Sequence, residues 1–500
     1  MKTTAFLFIF RLFRMLITVI TLTYSAKYFG VSVEKDMWVL SLTLVTNITL
    51  ALWGPLNEIF RTKFVFIREQ EGEGVAVSRT SSLVGFIFCV SFVISVMLFF
   101  GASSIAGLMA ANMEENAVQL LSILLLLQLP SLLINEITNI GISILNAYEV
   151  YYLPEIVGFL SGLVNLGAII LFAPVIGIYS LLIATYFGLV VLFVFVLYFL
   201  RRKRIDIWGR LIGFDWDDVK VFLLFALPFF FPYFVGQANT LGEKYLAGLL
   251  GSGNVSSLDY SRQFINVLQG VLSSVLTTIM VPLLAKQFIN REKEEFARIL
   301  KDNLMVCLFI TGLAVCTLSG ATEPLCRYFF FRGKVSIESL EMIVLLTRSF
   351  GIAFIGVLLY LIYGMSLLSS NKGKLYALVG VSTQIVILVL NLLLCPHYGV
   401  CIFPLSFGVA HFLASIVMFV GLSVSHHRQL ALYIFKSVVW IFLFVVLFAA
   451  ANKIFAYQSA FLRMVANVVA LIFLSPLIAE GLGINTRIYM KKIVNRYAKK

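Results

Sequence analysis

The sequence predicts an all-α polytopic membrane protein, with about fourteen transmembrane helices in two six-helix lobes related by a parallel pseudo-two-fold axis and two further C-terminal helices. Three observations predict it. Hydrophobic residues form 60% of the 500-residue chain and charged residues 13%, whereas a soluble domain is about a quarter charged. Apolar runs of spanning length recur from end to end, so lipid is the main solvent. The basic residues between those runs fall into alternating rich and poor loops.

In chain order the spans lie at roughly 5–27, 37–66, 81–106, 117–145, 154–175 and 178–200, then 217–246, 258–285, 303–322, 338–368, 375–395, 400–424, 433–452 and 460–484. The chain runs from Lys2 straight into the first apolar stretch without a small-residue cleavage site before position 28, so that stretch is read as a membrane helix and not as a removed signal. The basic stretch 201–220 is the longest such hydrophilic segment and follows six spans. It is expected to link an N-lobe, 1–200, to a C-lobe, 221–425, with the last two spans and a basic tail at 426–500. An even number of spans per lobe makes any internal repeat parallel. One weak echo supports this: Gly30 and Asp36 follow the first span, Gly253 and Asp259 follow the seventh, and both pairs are six apart.

Placing both termini in the cytoplasm puts 26 Lys and Arg on the inside and 8 on the outside, with Arg11, Arg14, Arg262 and Arg348 within spans. That asymmetry is what the positive-inside rule predicts. Much of the +13 net charge is therefore a topology signal, with a secondary attraction to anionic headgroups. The basic loops are short and juxtamembrane and carry no recognition motif, so nucleic acid is not an expected partner.

A charge inside a bilayer costs about 2.5 to 3.5 kcal/mol on insertion scales, so one that persists faces water, a partner or a cavity. Arg11 and Arg14 lie three apart on one face of the first span, with snorkelling to the cytoplasmic surface as the plain alternative. Glu58 and Arg61 lie three apart on the second, as cavity residues or as a structural pair. Arg262 shares the eighth span with Gln263, Asn266 and Gln269, which together are hard to place against lipid. The seventh span adds Gln237, Asn239, Glu243 and Lys244 after Pro228 and Pro232, the pattern of a kinked helix with a polar face. Other in-span polar residues, Asn135, Glu136, Asn139, Arg348, Gln384, Asn391 and His411 among them, read as interhelical hydrogen-bonding groups.

The six cysteines show no metal-ligand spacing and read as packing residues; Cys395 and Cys401 flank one short loop and could bridge only in an oxidising space. There is no ATP-binding phosphate loop, no HExxH, no nucleophile elbow and no outer loop long enough to house an active site. A transporter is expected, not an enzyme, with no cofactor and no metal.

The motifs sharpen that expectation. Ala26-Lys-Tyr-Phe-Gly30 followed by Asp36, and Gly54-Pro-Leu-Asn-Glu58 leading to Phe64-Val65, resemble the first-half pattern of the MurJ/MviN family of lipid II flippases. In the second half Gly251-Ser-Gly-Asn-Val-Ser-Ser-Leu-Asp-Tyr-Ser-Arg262, the stretch Gly270 to Leu284 and Phe331-Arg-Gly-Lys334 are similar to that family's segments. The resemblance covers nearly the whole chain. It implies two lobes around a cationic cavity, in the bacterial cytoplasmic membrane, that carries a polyprenyl-pyrophosphate-linked saccharide outward by alternating access. It places Arg14, Asp36, Glu58 and Arg262 at motif positions, with Arg11 and Arg61 beside them, and leaves Gln237, Asn239, Glu243 and Asn266 as secondary cavity or gate residues. The chain departs from the pattern at Thr21 and at Leu56 and Asn57, where the family carries arginines. That thinner charge leaves room for an O-antigen or capsule precursor as cargo. A cation-coupled multidrug exporter would want acidic cavity residues, and a non-transporting scaffold would bind the precursor without moving it.

Overall fold

The computed structural model describes residues 2–150, 152–210, 213–275, 284, 286–288, 290, 293–422 and 427–482. The side chains of Arg11 and Arg428, most of the motif beyond Gly270 and the basic tail fall outside the described residues. Where lipid offers no partner for a backbone N–H, each apolar run satisfies its own hydrogen bonds as a helix. The first six spans appear as α1 (Lys2–Phe29), α2 (Val33–Glu71), α3 (Glu73–Met109), α4 (Glu115–Ala147), α5 (Tyr152–Ile176) and α6 (Tyr179–Arg202). They are followed by α7 (Trp216–Leu249), α8 (Asn254–Val275), α9 (Lys293–Gly320) and α10 (Thr322–Phe330). The rest are α11 (Ile337–Ser369), α12 (Gly373–Tyr398), α13 (Ile402–Leu422), α14 (His427–Ile454) and α15 (Ala460–Gly481).

Among the described residues, ten segments are long and apolar enough to cross a membrane. One of them, Gly373–Leu422, runs through α12, a 3₁₀ turn at Gly399–Cys401 and α13; at 50 residues it is long enough for two passes. The helices overrun the apolar runs: α2 extends to Glu71 and α3 begins at Glu73, on either side of Gly72 at φ 99°. Charged residues with good helix propensity continue a helix past the point where apolarity stops. The nine-residue α10 is not expected from the sequence. It is too short to register as a span, and its Glu323 and Arg327 pair one turn apart at 2.6 Å.

The chain forms two compact units, Met1–Ser256 with Arg332–Lys334, and Ser257–Phe331 with Val335–Lys500. In the first, α2 packs against α3, α4 and α7, while α1 packs on α5 and α6 joins α4 to α5. The seventh helix, assigned by sequence to the second lobe, lies along α2 and α3 in this unit, with Phe222 stacked on Phe60 at 5.5 Å. The basic linker is tied down by Ser81, whose hydroxyl accepts the Arg210 N–H at 3.0 Å, and by Asp218 beside Arg79 and Arg210. In the second unit α11 packs on α13 and α9, and the two C-terminal helices close over α9 and α10. There Trp440 is fully buried and stacked on Phe309 at 5.5 Å. Cys395 is buried, Cys401 exposed, and both are free thiols.

Candidate transport site

The echoing loop segments after the first and seventh spans meet each other. Asp36, in the first turn of α2 and fully buried, accepts the Ser256 N–H at 2.7 Å and the Gly253 N–H at 2.5 Å. Its carboxylate thus caps the N-terminus of α8, where the unsatisfied N–H groups and the helix dipole favour an anion. Lys244 on α7 lies close enough to act on that charge, and the neighbouring Lys35 donates to Ser25 Oγ at 3.0 Å. Asn239, Glu243 and Lys244 are all buried in the same unit. Nearby, the Lys334 N–H donates to the Lys27 carbonyl at 3.3 Å. Gly333 sits at φ +63°, where a Cβ would overlap the Lys27 carbonyl oxygen, so this turn fits only glycine. Asp36 is therefore a buried clasp that holds two helix starts together.

Arg14 is half-exposed on α1 and reaches across to α5, where its Nη1 lies 3.5 Å from Glu155 and directly over Gly158. Phe10, Phe13 and Phe159 pack around the same α1–α5 contact, with ring centroids 5.8 to 6.5 Å apart. Glu155 was absent from the residues expected at the site. The clue was its place, one residue after Pro154 at the start of a span where no charge is needed.

On α2, Glu58 and Arg61 are exposed, and the Glu58 carboxylate accepts the Tyr233 hydroxyl of α7 at 3.1 Å. The Tyr233 ring lies over Gly54, at a distance that leaves no room for a Cβ. Higher on the same pair of helices, Asn47 Nδ2 donates to the Gln237 carbonyl at 3.4 Å. Beside this seam an apolar recess of about 660 Å³ is lined by Ile48, Leu52, Ile94, Phe230 and Phe234, among others.

Arg262, on α8 in the second unit, has its guanidinium 4.9 Å from the Phe350 ring and 5.3 Å from the Phe407 ring. Two aromatic faces hold a planar, weakly hydrated cation in place. His411 packs on Phe407 and Tyr360, at 4.5 and 5.0 Å, and its Nδ1 bonds the Phe407 carbonyl at 2.8 Å. Asn266, one turn beyond Arg262, is exposed. Sequence reasoning located Arg262 but not its aromatic seat, since Phe350 and Phe407 are lost among 46 phenylalanines.

Residues 25–474 match the family described as lipid II flippase MurJ. A lipid II flippase MurJ of Burkholderia cenocepacia is 24% identical over 411 residues, covering 80% of this chain and 79% of the relative. A probable lipid II flippase MurJ of Borreliella burgdorferi is 22% identical over 481 residues, 92% of each. A solved structure, lipid II flippase MurJ in an inward closed conformation, superposes with a TM-score of 0.79 at 17% identity, covering 95% of this chain and 99% of that one. With nine-tenths of its length matched in sequence and the same helical fold, the chain belongs to the lipid II flippase MurJ family.

Proposed function

We propose that the chain is a flippase that moves a polyprenyl-pyrophosphate-linked saccharide, with lipid II as cargo, from the inner to the outer leaflet of the bacterial cytoplasmic membrane by alternating access. The observation that carries this reading is membership of the family over residues 25–474. The chemistry of the site agrees with it. A pyrophosphate entering a low-dielectric slab needs fork-shaped cationic donors. Arg262, seated on two phenylalanine faces, and Arg14, steered by Glu155, are those donors. Arg11 and Arg61 supply further positive charge at the cytoplasmic side. Glu58 with Tyr233, and Gln237, Asn239, Glu243 and Asn266, shape the path and its gates. The prenyl tail stays with lipid, for which an apolar recess such as that beside α2 and α7 is suited. The excess of basic residues on one side of the membrane supports a topology with both termini in the cytoplasm.

The test is translocation of lipid II in vesicles holding the purified full-length protein. Substituting Arg262→Ala is expected to lower the rate at least about tenfold, the loss of about 1.4 kcal/mol of differential binding. Arg14→Ala acts in the same direction. An unchanged rate with both replaced overturns the cationic-donor assignment. Active transport of a capsule precursor with no transport of lipid II keeps the flippase and overturns the cargo.

A further inference from the structure

Glu136 lies on α4, eleven residues before its end at Ala147, which places it about 16 Å along the helix from that end. Its side chain is fully buried, and neither carboxyl oxygen makes a hydrogen bond of ordinary geometry. Two neutral amides stand close enough to act on it, Asn57 of α2 and Asn139 of its own helix. Asn57 also has its amide oxygen buried without a hydrogen-bond partner. The helices packed on α4 are α2, α3 and α6. On α2 the nearest charges in sequence are Glu58 and Arg61, both exposed, and Glu58 is engaged by Tyr233. On α3, Glu73 accepts the Tyr148 hydroxyl at 2.5 Å, Arg79 pairs with Glu71 and Asp218, and Cys89 is half-buried. On α6, Arg201 and Arg202 are exposed at the C-terminal end, Tyr198 is exposed, and the Tyr186 hydroxyl donates to the Leu127 carbonyl at 2.7 Å.

An ionised carboxylate buried in lipid without donors or a counterion is strongly disfavoured, and such groups in membrane spans mark ion and proton pathways. Building a static core at this position would call for an apolar residue. We propose that Glu136, with Asn57 beside it, is a proton-binding site: it holds a proton in this conformation, releases it when the α2–α4 seam opens to water, and so couples cargo movement to proton uptake. The coupling rests on the flippase reading above, whereas proton binding at Glu136 stands without it.

Two measurements separate the two. The first is an infrared pH titration of the full-length protein in lipid, without cargo. It is expected to show a carboxylic-acid carbonyl band that persists at neutral pH and disappears in Glu136→Gln. In Asn57→Ala the band's midpoint shifts, because a polar neighbour of the carboxyl is gone, and an unmoved midpoint removes Asn57 from the site. A band unchanged by Glu136→Gln overturns the site whatever the protein transports. The second is lipid II translocation across a pH series. Wild-type rates are expected to vary with pH, and the dependence flattens in Glu136→Gln, which mimics the protonated form. A wild-type pH profile retained in that variant, or a dependence on sodium in place of pH, overturns the coupling. Absence of transport in the wild type at every pH fails the flippase reading and the coupling with it, and leaves the infrared result to decide the site.

Discussion

At the scale of single residues, whether a charge holds the protein together is read from its partners. Asp36 has both carboxylate oxygens engaged by backbone N–H groups from 217 and 220 residues away. Replacing it with alanine leaves two buried donors unpaired, each worth about 1 to 3 kcal/mol. Asp36→Ala is therefore expected to lower the thermal midpoint of the purified protein clearly, and Asp36→Asn, which retains one acceptor oxygen, less so; equal midpoints for all three forms overturn the clasp. Arg262 has aromatic faces where Asp36 has N–H groups. Lysine keeps the charge but lacks the planar fork and stacks poorly. Arg262→Lys is expected to recover only part of the transport lost in Arg262→Ala, with little change in thermal midpoint, and full recovery would mean that charge alone suffices. Both residues stand within the motifs, but their surroundings are not legible there. A carboxylate capping a distant helix and a guanidinium on two rings are long-range pairings, and sequence spacing carries no trace of them.

At the scale of elements, the long helices were legible because apolarity persists over the thickness of a bilayer, whereas α10 was not. Its stability comes from contacts the sequence does not announce. Arg327 reaches Glu323 within the helix, and Arg463 of α15, almost fully buried, pairs with the same carboxylate. Asn452 and Asn467 exchange side-chain hydrogen bonds at 3.2 and 2.8 Å beneath it. Burial alone would raise the Glu323 carboxyl, but hydrogen bonds and charge from Arg463 and Arg327 outweigh it and hold the group below its ordinary value. A carboxyl lowered in the folded state stabilises fully above its unfolded value, about 4.3, and loses that contribution as the pH falls through the folded one. The wild type is thus expected to exceed Glu323→Gln in thermal midpoint by a constant margin near neutral pH. The margin should close on acidification below about pH 4.3. A margin that stays constant into that acidic range would show that the ion pair does not hold α10 to α15. The same contacts explain why the last two helices, an appendage in the sequence, are part of the second unit: Trp440 and Phe444 are fully buried.

At the scale of the whole molecule, the proposed orientation across the membrane rests on a ledger of charges and not on any contact, so it calls for a test of its own. Some of the eight basic residues assigned outside are removed from solvent altogether: Lys35 and Lys244 beside Asp36, and Arg463 under Glu323, are each no more than 6% exposed. A buried, engaged lysine is held by its partners and says less about sidedness than a free one, so the imbalance among exposed charges is steeper than the count suggests. The chain carries its own reporter. Of the six cysteines, Cys307, Cys316, Cys326 and Cys395 are buried and Cys89 is half-buried, while Cys401 is exposed in the turn joining α12 to α13. With both termini inside, that turn faces outward. A membrane-impermeant maleimide applied to intact spheroplasts is therefore expected to label the wild type and to leave Cys401→Ser largely unlabelled. Labelling of Cys401 that appears only after the membrane is permeabilised would place the turn in the cytoplasm and reverse the topology. The direction of cargo movement would then have to be reassigned with it, because the inner face at which Arg14 and Arg61 are placed would become the outer one.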